Sequence, residues 1–183
     1  MNQAAHLPTL NLPPLERGCS YCIVMRSDVQ REQLLQEFAC QPDCAVVAYD
    51  GGLISNLNVW ENLSLPVHYH AAQIGSGLED KVVELFRQCG LPGDVEVRRL
   101  LGRLPAELSL YEKRLAGFVR AMLVEPELMV YDRIYDGLAR GDADRVAQFD
   151  NLFHLYFPFR ISVLLSFDER KEPGNPRQHI IHL

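Results

Sequence analysis

Two acidic side chains lie at the end of a short apolar segment in the last third of the chain. Asp132 directly follows residues 128–131, and Asp136 lies four positions further on. Carboxylate oxygens are the ligands that Mg²⁺ prefers, so the pair could hold a magnesium ion. Arg133 lies between them in sequence, and the alternative of an internal Asp–Arg ion pair is favoured over the magnesium site.

A hydroxyl and a carboxyl group lie at the start of the preceding amphipathic segment. Ser109 and Glu112 are three residues apart. This is the spacing of a capping box, in which each side chain accepts a hydrogen bond from a backbone N–H at a helix N-terminus. The sequence therefore predicts a helix that begins at this point and continues to about residue 123.

Two cysteine pairs, Cys19/Cys22 and Cys40/Cys44, have spacings that occur in zinc sites. Neither pair lies in a Gly-rich knuckle, and Cys22 falls inside an apolar segment. The total of five cysteines is odd, and disulfides are not expected in a chain without secretion signals. We expect Cys22, in its strand, and Cys40, at a helix end, to be small core side chains, and we predict no metal site and no catalytic residue.

Composition limits the class of protein. The chain has 183 residues, of which 48% are hydrophobic, and this length suits one domain. A net charge of −6 argues against a nucleic-acid partner, which usually requires a basic face. No apolar run approaches the ~20 residues of a membrane span, and the first residues lack a signal-peptide pattern. A cytoplasmic location is expected.

Short apolar segments alternate with amphipathic ones along the chain. This alternation predicts an α/β fold with a mainly parallel sheet and helices on both faces. Residues 95–104 are predicted to be a connector. The predicted strands are 21–25, 45–49, 128–131, 161–166 and 179–183, and the predicted helices are 29–39, a short one from 58, 78–89, 109–123 and 141–157.

Single residues are predicted to begin or end some of these helices. Asp28 is the predicted N-cap of the first helix, and Asn58 with Glu61 has the spacing of a second capping box. Pro66 is expected to end or kink the short helix, and Gly90 to end the helix at 78–89. The aromatic residues within 149–157 are expected to belong to the core or to a self-association seam.

The order of these segments resembles an ATP-binding cassette (ABC) ATPase. The resemblance rests on LPAELSLYEKR at 104–114, the strand that ends in Asp132, the segment LISNLNVWENLSLPVHYH at 53–70, and ISVLLSFD at 161–168. The 53–70 segment is particularly similar to bacterial cassettes of lipid and MCE-type transport systems. The resemblance covers roughly residues 20–183.

This resemblance implies a RecA-like P-loop NTPase core with a helical signature subdomain and with the antiparallel β-region reduced or absent. It predicts one degenerate ABC ATPase-like domain over residues 1–183. Residues 20–50 and 124–183 would form the core, and residues 51–123 would form the helical subdomain.

The positions that handle ATP in this family carry other residues here. Residues 25–32 contain no glycine, Arg31 stands at the position of the P-loop lysine, and Glu32 stands at that of the metal-binding hydroxyl. Tyr49 stands at the position of the Q-loop glutamine, or Asp50 does if the alignment shifts by one.

The remaining motifs are altered in the same way. Ser109 of the signature motif survives, either as a vestigial phosphate ligand or only as a helix cap. Asp132 survives in the Walker B strand, but Arg133 replaces the catalytic glutamate and Phe167 replaces the H-loop histidine. The resemblance thus implies a vestigial nucleotide site formed by Arg31, Glu32, Tyr49, Ser109, Asp132, Arg133 and Phe167.

The resemblance also implies a role. We expect a non-hydrolysing structural or regulatory subunit of a bacterial ABC transporter, bound to a permease, to an active ATPase subunit or to itself, and peripheral to the membrane through that partner. No cofactor is expected, with weak binding of ATP and magnesium through Arg31 as the alternative; if the chain were active, it would be an ABC-type ATPase. A free-standing soluble adaptor is the competing function. Four apolar residues could form a docking patch or belong to the core: Leu53, Ile54, Val59 and Trp60.

Overall fold

The computed structural model of the chain describes residues 12–70, 77–91, 93–168 and 178–183. Within these residues five strands form one sheet, in the order β2-β3-β4-β1-β5, and every adjacent pair is parallel. The predicted α/β class with a parallel sheet is confirmed. The strands are β1 (Ser20–Val24), β2 (Cys44–Val47), β3 (Leu128–Asp132), β4 (Ile161–Ser166) and β5 (Gln178–His182).

Helices connect the strands and cover both faces of the sheet. In the described part of the chain they are α1 (Asp28–Ala39), α2 (Val59–His70), α3 (Leu78–Gln88), α4 (Asp94–Leu101), α5 (Leu110–Leu123), α6 (Arg140–Val146) and α7 (Gln148–Tyr156), with a 3₁₀ turn at Pro105–Glu107 before α5. None of them combines the length and apolarity that a helix needs to cross a membrane.

Two predicted segments differ from the structure. The connector predicted at 95–104 is mostly helix α4, and the helix predicted at 141–157 is two helices, α6 and α7. Helix α4 has acidic residues in its first turn and arginines in its last, which complements the helix dipole, and it buries Val97, Leu100 and Leu101. Eight residues give too few turns for a clear periodic pattern in the sequence.

The two predicted capping boxes are confirmed. At α5 the Ser109 hydroxyl accepts from the Glu112 N–H at 3.1 Å, and the Glu112 carboxylate accepts from the Ser109 N–H at 2.7 Å. Asn58 and Glu61 exchange the same two bonds at the start of α2, each at 2.8 Å. Pro66 was expected to end or kink α2, and the helix instead continues past it to His70.

The N-cap of α1 is Ser27 rather than Asp28, the residue that the sequence favoured. The Ser27 hydroxyl accepts from the Gln30 N–H at 3.3 Å. Asp28 is therefore the first residue of the helix, and its carboxylate is directed toward the end of β3, where it lies 3.6 Å from the Arg133 guanidinium.

The sheet separates two apolar cores, because successive side chains of a strand point to opposite faces. Leu34 and Phe38 of α1 pack on one face. On the other face Phe118 of α5 stacks on Phe149 of α7, with ring centroids 4.4 Å apart, and Phe153 is fully buried beside them. Phe149 and Phe153, two of the aromatic residues within 149–157, are thus core residues. The division into a core and a helical subdomain stays a prediction.

Candidate functional site

Polar and aromatic side chains converge at the carboxyl ends of the parallel strands. In open α/β sheets this edge is where ligands usually bind. Five of the residues predicted for the vestigial site contact one another here: Arg31, Tyr49, Asp132, Arg133 and Phe167. We call these five residues the strand-end cluster.

The centre of the strand-end cluster is an ion pair between α1 and β3. Arg31 donates from Nε to Asp132 Oδ1 at 2.7 Å and from a terminal nitrogen to Asp132 Oδ2 at 2.5 Å. The side chains are 16% and 2% exposed, respectively. The hydrogen bond to Asp132 raises the pKa of Arg31 above its ordinary value, and the nearby carboxylate charge adds to this effect. Both oxygens of Asp132 therefore already have a cationic partner.

Two aromatic rings lie against the arginines of the cluster. The Arg133 guanidinium lies 4.9 Å from the centre of the Phe167 ring and 6.0 Å from that of Tyr49, and the Arg31 guanidinium lies 5.6 Å from that of Tyr49. These distances are within the range of cation–π attraction. The two rings are 46% (Tyr49) and 36% (Phe167) exposed, so one side of the cluster forms part of the protein surface.

Acidic groups hold Arg133 in place. Its Nε donates to Asp136 at 2.7 Å, and a terminal nitrogen lies 3.6 Å from Asp28. The backbone of Arg133 has φ of +51°, a left-handed conformation that costs a non-glycine residue about 1 kcal/mol or more. The internal Asp–Arg ion pair that the sequence favoured is present between Arg133 and Asp136. Asp132 pairs instead with Arg31, a partner that the sequence did not indicate.

Two residues of the predicted site lie apart from the strand-end cluster. Glu32 is exposed on α1 and makes none of these contacts. Ser109 lines a cavity of about 500 Å³ at the start of α5, where the Arg145 guanidinium stacks 3.9 Å from the Tyr111 ring. The other residues that line this cavity are Leu91, Glu96, Arg99, Leu100, Arg103, Glu112 and Asp142.

Arg114 is a residue that the sequence reasoning did not single out. Its side chain is 1% exposed and donates to three backbone carbonyls, those of Tyr49, Ile134 and Asp136, at 2.6, 2.7 and 2.6 Å. Burial lowers the pKa of this arginine, while the charges of nearby aspartates act in the opposite direction. A signal was present in the sequence, because Arg114 lies on the apolar face of α5, three residues after Tyr111 and four before Phe118.

The four docking candidates have different environments. Val59 is fully buried, so it is a core residue rather than a docking residue. Leu53 and Trp60 are partly buried against the core on the α5 face, and Ile54 is 42% exposed. The buried Asn62 fixes this loop, because its side chain exchanges hydrogen bonds with the backbone of Ile54 in both directions, at 2.7 and 3.1 Å.

The cysteines have different environments. Cys22 and Cys89 are buried, as expected for Cys22, whereas Cys40 is exposed at the end of α1, and the expectation that it is a core residue is wrong. Burial raises the pKa of the Cys44 and Cys89 thiols to about 12. Such thiols stay protonated, whereas a zinc ligand must be a thiolate. Among the described residues no three His, Cys, Asp or Glu side chains group closely enough to hold a metal ion.

Parts of the chain are similar in sequence to known proteins. No family model matches the chain. A probable ribonucleotide transport ATP-binding protein, mkl, of Mycobacterium leprae (strain TN) is 29% identical over 93 residues, which are 51% of this chain and 25% of that protein. The intermembrane phospholipid transport system ATP-binding protein MlaF of Escherichia coli (strain K12) is 29% identical over 87 residues, or 48% of this chain and 30% of MlaF.

Solved structures extend the similarity to nearly the whole chain. A dimeric post-hydrolysis structure of the ATP-binding cassette MJ0796, bound to ADP and phosphate, has a TM-score of 0.75 at 20% identity. It covers 97% of this chain and 85% of that one. The structure of cbiO1 from Clostridium perfringens, part of the transporter complex cbiONQ, has a TM-score of 0.67 at 14% identity, with 85% and 70% covered.

These findings confirm the resemblance that the motifs indicated. The chain has the fold of an ATP-binding cassette, and about half of it is similar in sequence to ATP-binding proteins of bacterial transport systems. The similar stretch corresponds to about a quarter to a third of the curated relatives' own length.

Proposed function

We propose that this chain is a non-hydrolysing ABC-type domain that acts as a structural or regulatory subunit of a bacterial transport system. The observation that carries this proposal is the bidentate pair between Arg31 and Asp132. Arg31 occupies the place of the phosphate-binding lysine, and its side chain is turned to the acid that would hold magnesium. The protein's own charges thus neutralise each other within the site.

The residues at this edge do not fit a magnesium nucleotide. A cation beside Asp132 would face the guanidinium of Arg31, and like charges repel strongly in a partly buried site. Two backbone N–H groups of the loop before α1 and of its first turn already have side-chain partners. The Gln30 N–H donates to the Ser27 hydroxyl, and the Arg26 N–H donates to the Gln30 side chain at 2.7 Å.

The residue after β3 gives further support. A carboxylate at this position can act as a general base toward an attacking water, whereas the positively charged Arg133 cannot accept a proton. Its guanidinium is instead held by Asp136 and by the two aromatic rings. We infer that the strand-end cluster stabilises the fold and presents a surface, and that it performs no chemistry.

Transport is proposed from the relatives. The mkl and MlaF proteins carry names that refer to ribonucleotide transport and phospholipid transport, and the related MJ0796 cassette has been solved as a dimer. We propose a partner of the same kind for this chain, an ABC permease or an active ATPase subunit, with a location on the cytoplasmic side of the membrane. The exposed Ile54 and the adjoining Leu53 and Trp60 are the proposed docking residues.

A nucleotide titration tests the first part of the proposal. Calorimetry with millimolar ATP, with and without magnesium, should give no saturable heat, and phosphate release should not exceed that of buffer. Asp132→Asn is the matched control, because it removes the only acid that the Walker B position retains. Turnover by the purified chain that disappears in Asp132→Asn would overturn the proposal.

A pull-down tests the partner. The tagged chain, recovered from the native membrane fraction, should retain an integral membrane permease, and Ile54→Asp should weaken this association without changing the unfolding midpoint. Glu79→Lys on α3 is a surface control, since this exposed carboxylate pairs with Arg98 of α4 rather than with residues 53–60. Recovery of the chain only from the soluble fraction, with no permease, would favour the adaptor alternative.

A further inference from the structure

Arg114 makes contacts that a core residue does not need. It lies in the middle of α5 with 1% of its surface exposed, and its hydrogen bonds all go to backbone carbonyls. Burying a charge is costly unless hydrogen bonds compensate for lost water. An aliphatic side chain could fill the same volume, so the reason for a guanidinium here lies in the geometry of what it holds.

The three carbonyls belong to the two loops that carry the strand-end cluster. Nε donates to the carbonyl of Tyr49, in the loop after β2. The two terminal nitrogens donate to Ile134 and Asp136, in the loop after β3 that also contains Arg133. Because the guanidinium is planar and its donors point in fixed directions, one side chain sets the position of both loops relative to α5.

The backbone leaves no space between α5 and the first of these loops. A Cβ atom added at Gly117 of α5 would lie 2.5 Å from the carbonyl oxygen of Gly51, and one added at Gly51 would lie 2.2 Å from that of Lys113. Gly51 has φ of +84°, which favours glycine. Arg120, further along α5, donates to the Gly52 carbonyl at 2.8 Å, so it holds the first loop but not the second.

We propose that Arg114 is a positioning residue that locks the loops after β2 and β3 onto α5 and thereby keeps the strand-end cluster closed without a ligand. The inference rests on the proposed function only in taking the closed, ligand-free cluster as the functional state of the domain. A displacement of α5 would move Tyr49 and Arg133 together, since both loops follow the same guanidinium.

A fluorescent reporter tests this role. In a Trp60→Phe, Phe167→Trp background the introduced indole lies next to Arg133 and is the only indole in the chain. Arg114→Lys keeps the positive charge but offers a single nitrogen, which cannot reach three separate carbonyls. We expect a red-shifted emission and stronger quenching by acrylamide under native conditions. Arg120→Lys is the matched control and should leave both properties unchanged.

This readout separates positioning from general stability. A residue that only stabilised the fold would lower the unfolding midpoint and leave the emission of the native state as it was. Unchanged emission in Arg114→Lys would therefore overturn the proposal, as would an equal shift in Arg120→Lys. Neither Arg114 nor Arg120 is in described contact with Phe167. An emission shift that occurs only in Arg114→Lys must therefore be transmitted through the loop after β3, which carries Arg133.

Hydrogen exchange of the unmodified chain keeps the proposal testable if Arg114→Lys does not fold. Amides of residues 50–54 and 134–138 should exchange through one shared opening, with protection factors that fall together as denaturant increases. Independent exchange of the two loops would overturn the coupling. Neither experiment uses a nucleotide. Saturable binding of Mg-ATP would therefore contradict the proposed function without contradicting the role of Arg114. Failure of the Arg114 experiments would likewise leave the proposed function untouched.

Discussion

The strand-end cluster and the cavity at the start of α5 both contain polar residues of the predicted nucleotide site, and the hydrogen-bonding groups of those residues find their partners in different ways. In the cluster, Arg31 of α1 pairs with Asp132 of β3, 101 residues away in sequence. At the cavity, Ser109 and Glu112 satisfy each other's backbone within one turn of helix. The first region is closed by its own side chains, whereas the second keeps about 500 Å³ of space.

This difference shows what each replacement does physically. A long-range ion pair occupies the centre of a site and excludes another cation, while a local cap stabilises one helix end and leaves the adjacent volume open. The ion pair at the strand ends therefore limits which charges this region can accept, whereas the cap at Ser109 affects mainly its own helix end.

The largest expected effect comes from breaking the central pair. Asp132→Asn leaves the largely buried Arg31 without a counter-charge and should lower the free energy of unfolding by about 3 kcal/mol. Denaturant unfolding of the single variant measures this loss. The double variant Arg31→Gln, Asp132→Asn should recover most of it, because neither charge is then buried. A single variant as stable as the double one would contradict an essential pair.

An intermediate effect is expected at Arg133. Arg133→Ala removes the stacking on Tyr49 and Phe167 and the bond to Asp136, and should cost about 1–2 kcal/mol. Arg133→Gly loses the same contacts but relieves the left-handed backbone, so it should be about 1 kcal/mol more stable than the alanine variant. Thermal and denaturant unfolding of the alanine and glycine variants would measure the backbone strain at position 133. Equal stabilities of the two variants would show that the left-handed backbone stores no strain.

The smallest effect is expected at the cap of α5. Ser109→Ala removes one acceptor at the helix N-terminus and should cost about 1 kcal/mol. Ser109→Asp should retain the stability, because a carboxylate also accepts from the Glu112 N–H and suits the helix dipole. Hydrogen exchange measures this effect, and in Ser109→Ala we expect faster amide exchange only in the first turn of α5. An effect that spread to the loops after β2 and β3 would contradict the separation of the two regions.

Local patterns predicted much of the molecule. Both capping boxes and the glycine at position 90 after α3 follow from interactions between residues close in sequence. The strand at 128–131 is buried as predicted, whereas the strand predicted at 45–49 ends at Val47 and Tyr49 is 46% exposed. The parallel sheet followed from the alternation of short apolar and amphipathic segments. Helix α4 escaped prediction, since its stability depends on three side chains that pack into a core formed by other helices.

The sequence by itself determined the elements and the identities of the altered site residues, because propensity, capping and hydrophobic period act within a few residues. Only the tertiary structure decided which charges meet. Arg31 could have faced solvent, and Arg114 could have bonded to other groups in the core. The partners of these two arginines lie on a different strand and on different loops, and the packing of α1 and α5 against opposite faces of the sheet brings them within hydrogen-bonding distance. Arg133 could have paired with Asp132, but Arg31 already occupies that carboxylate, and Arg133 pairs with Asp136.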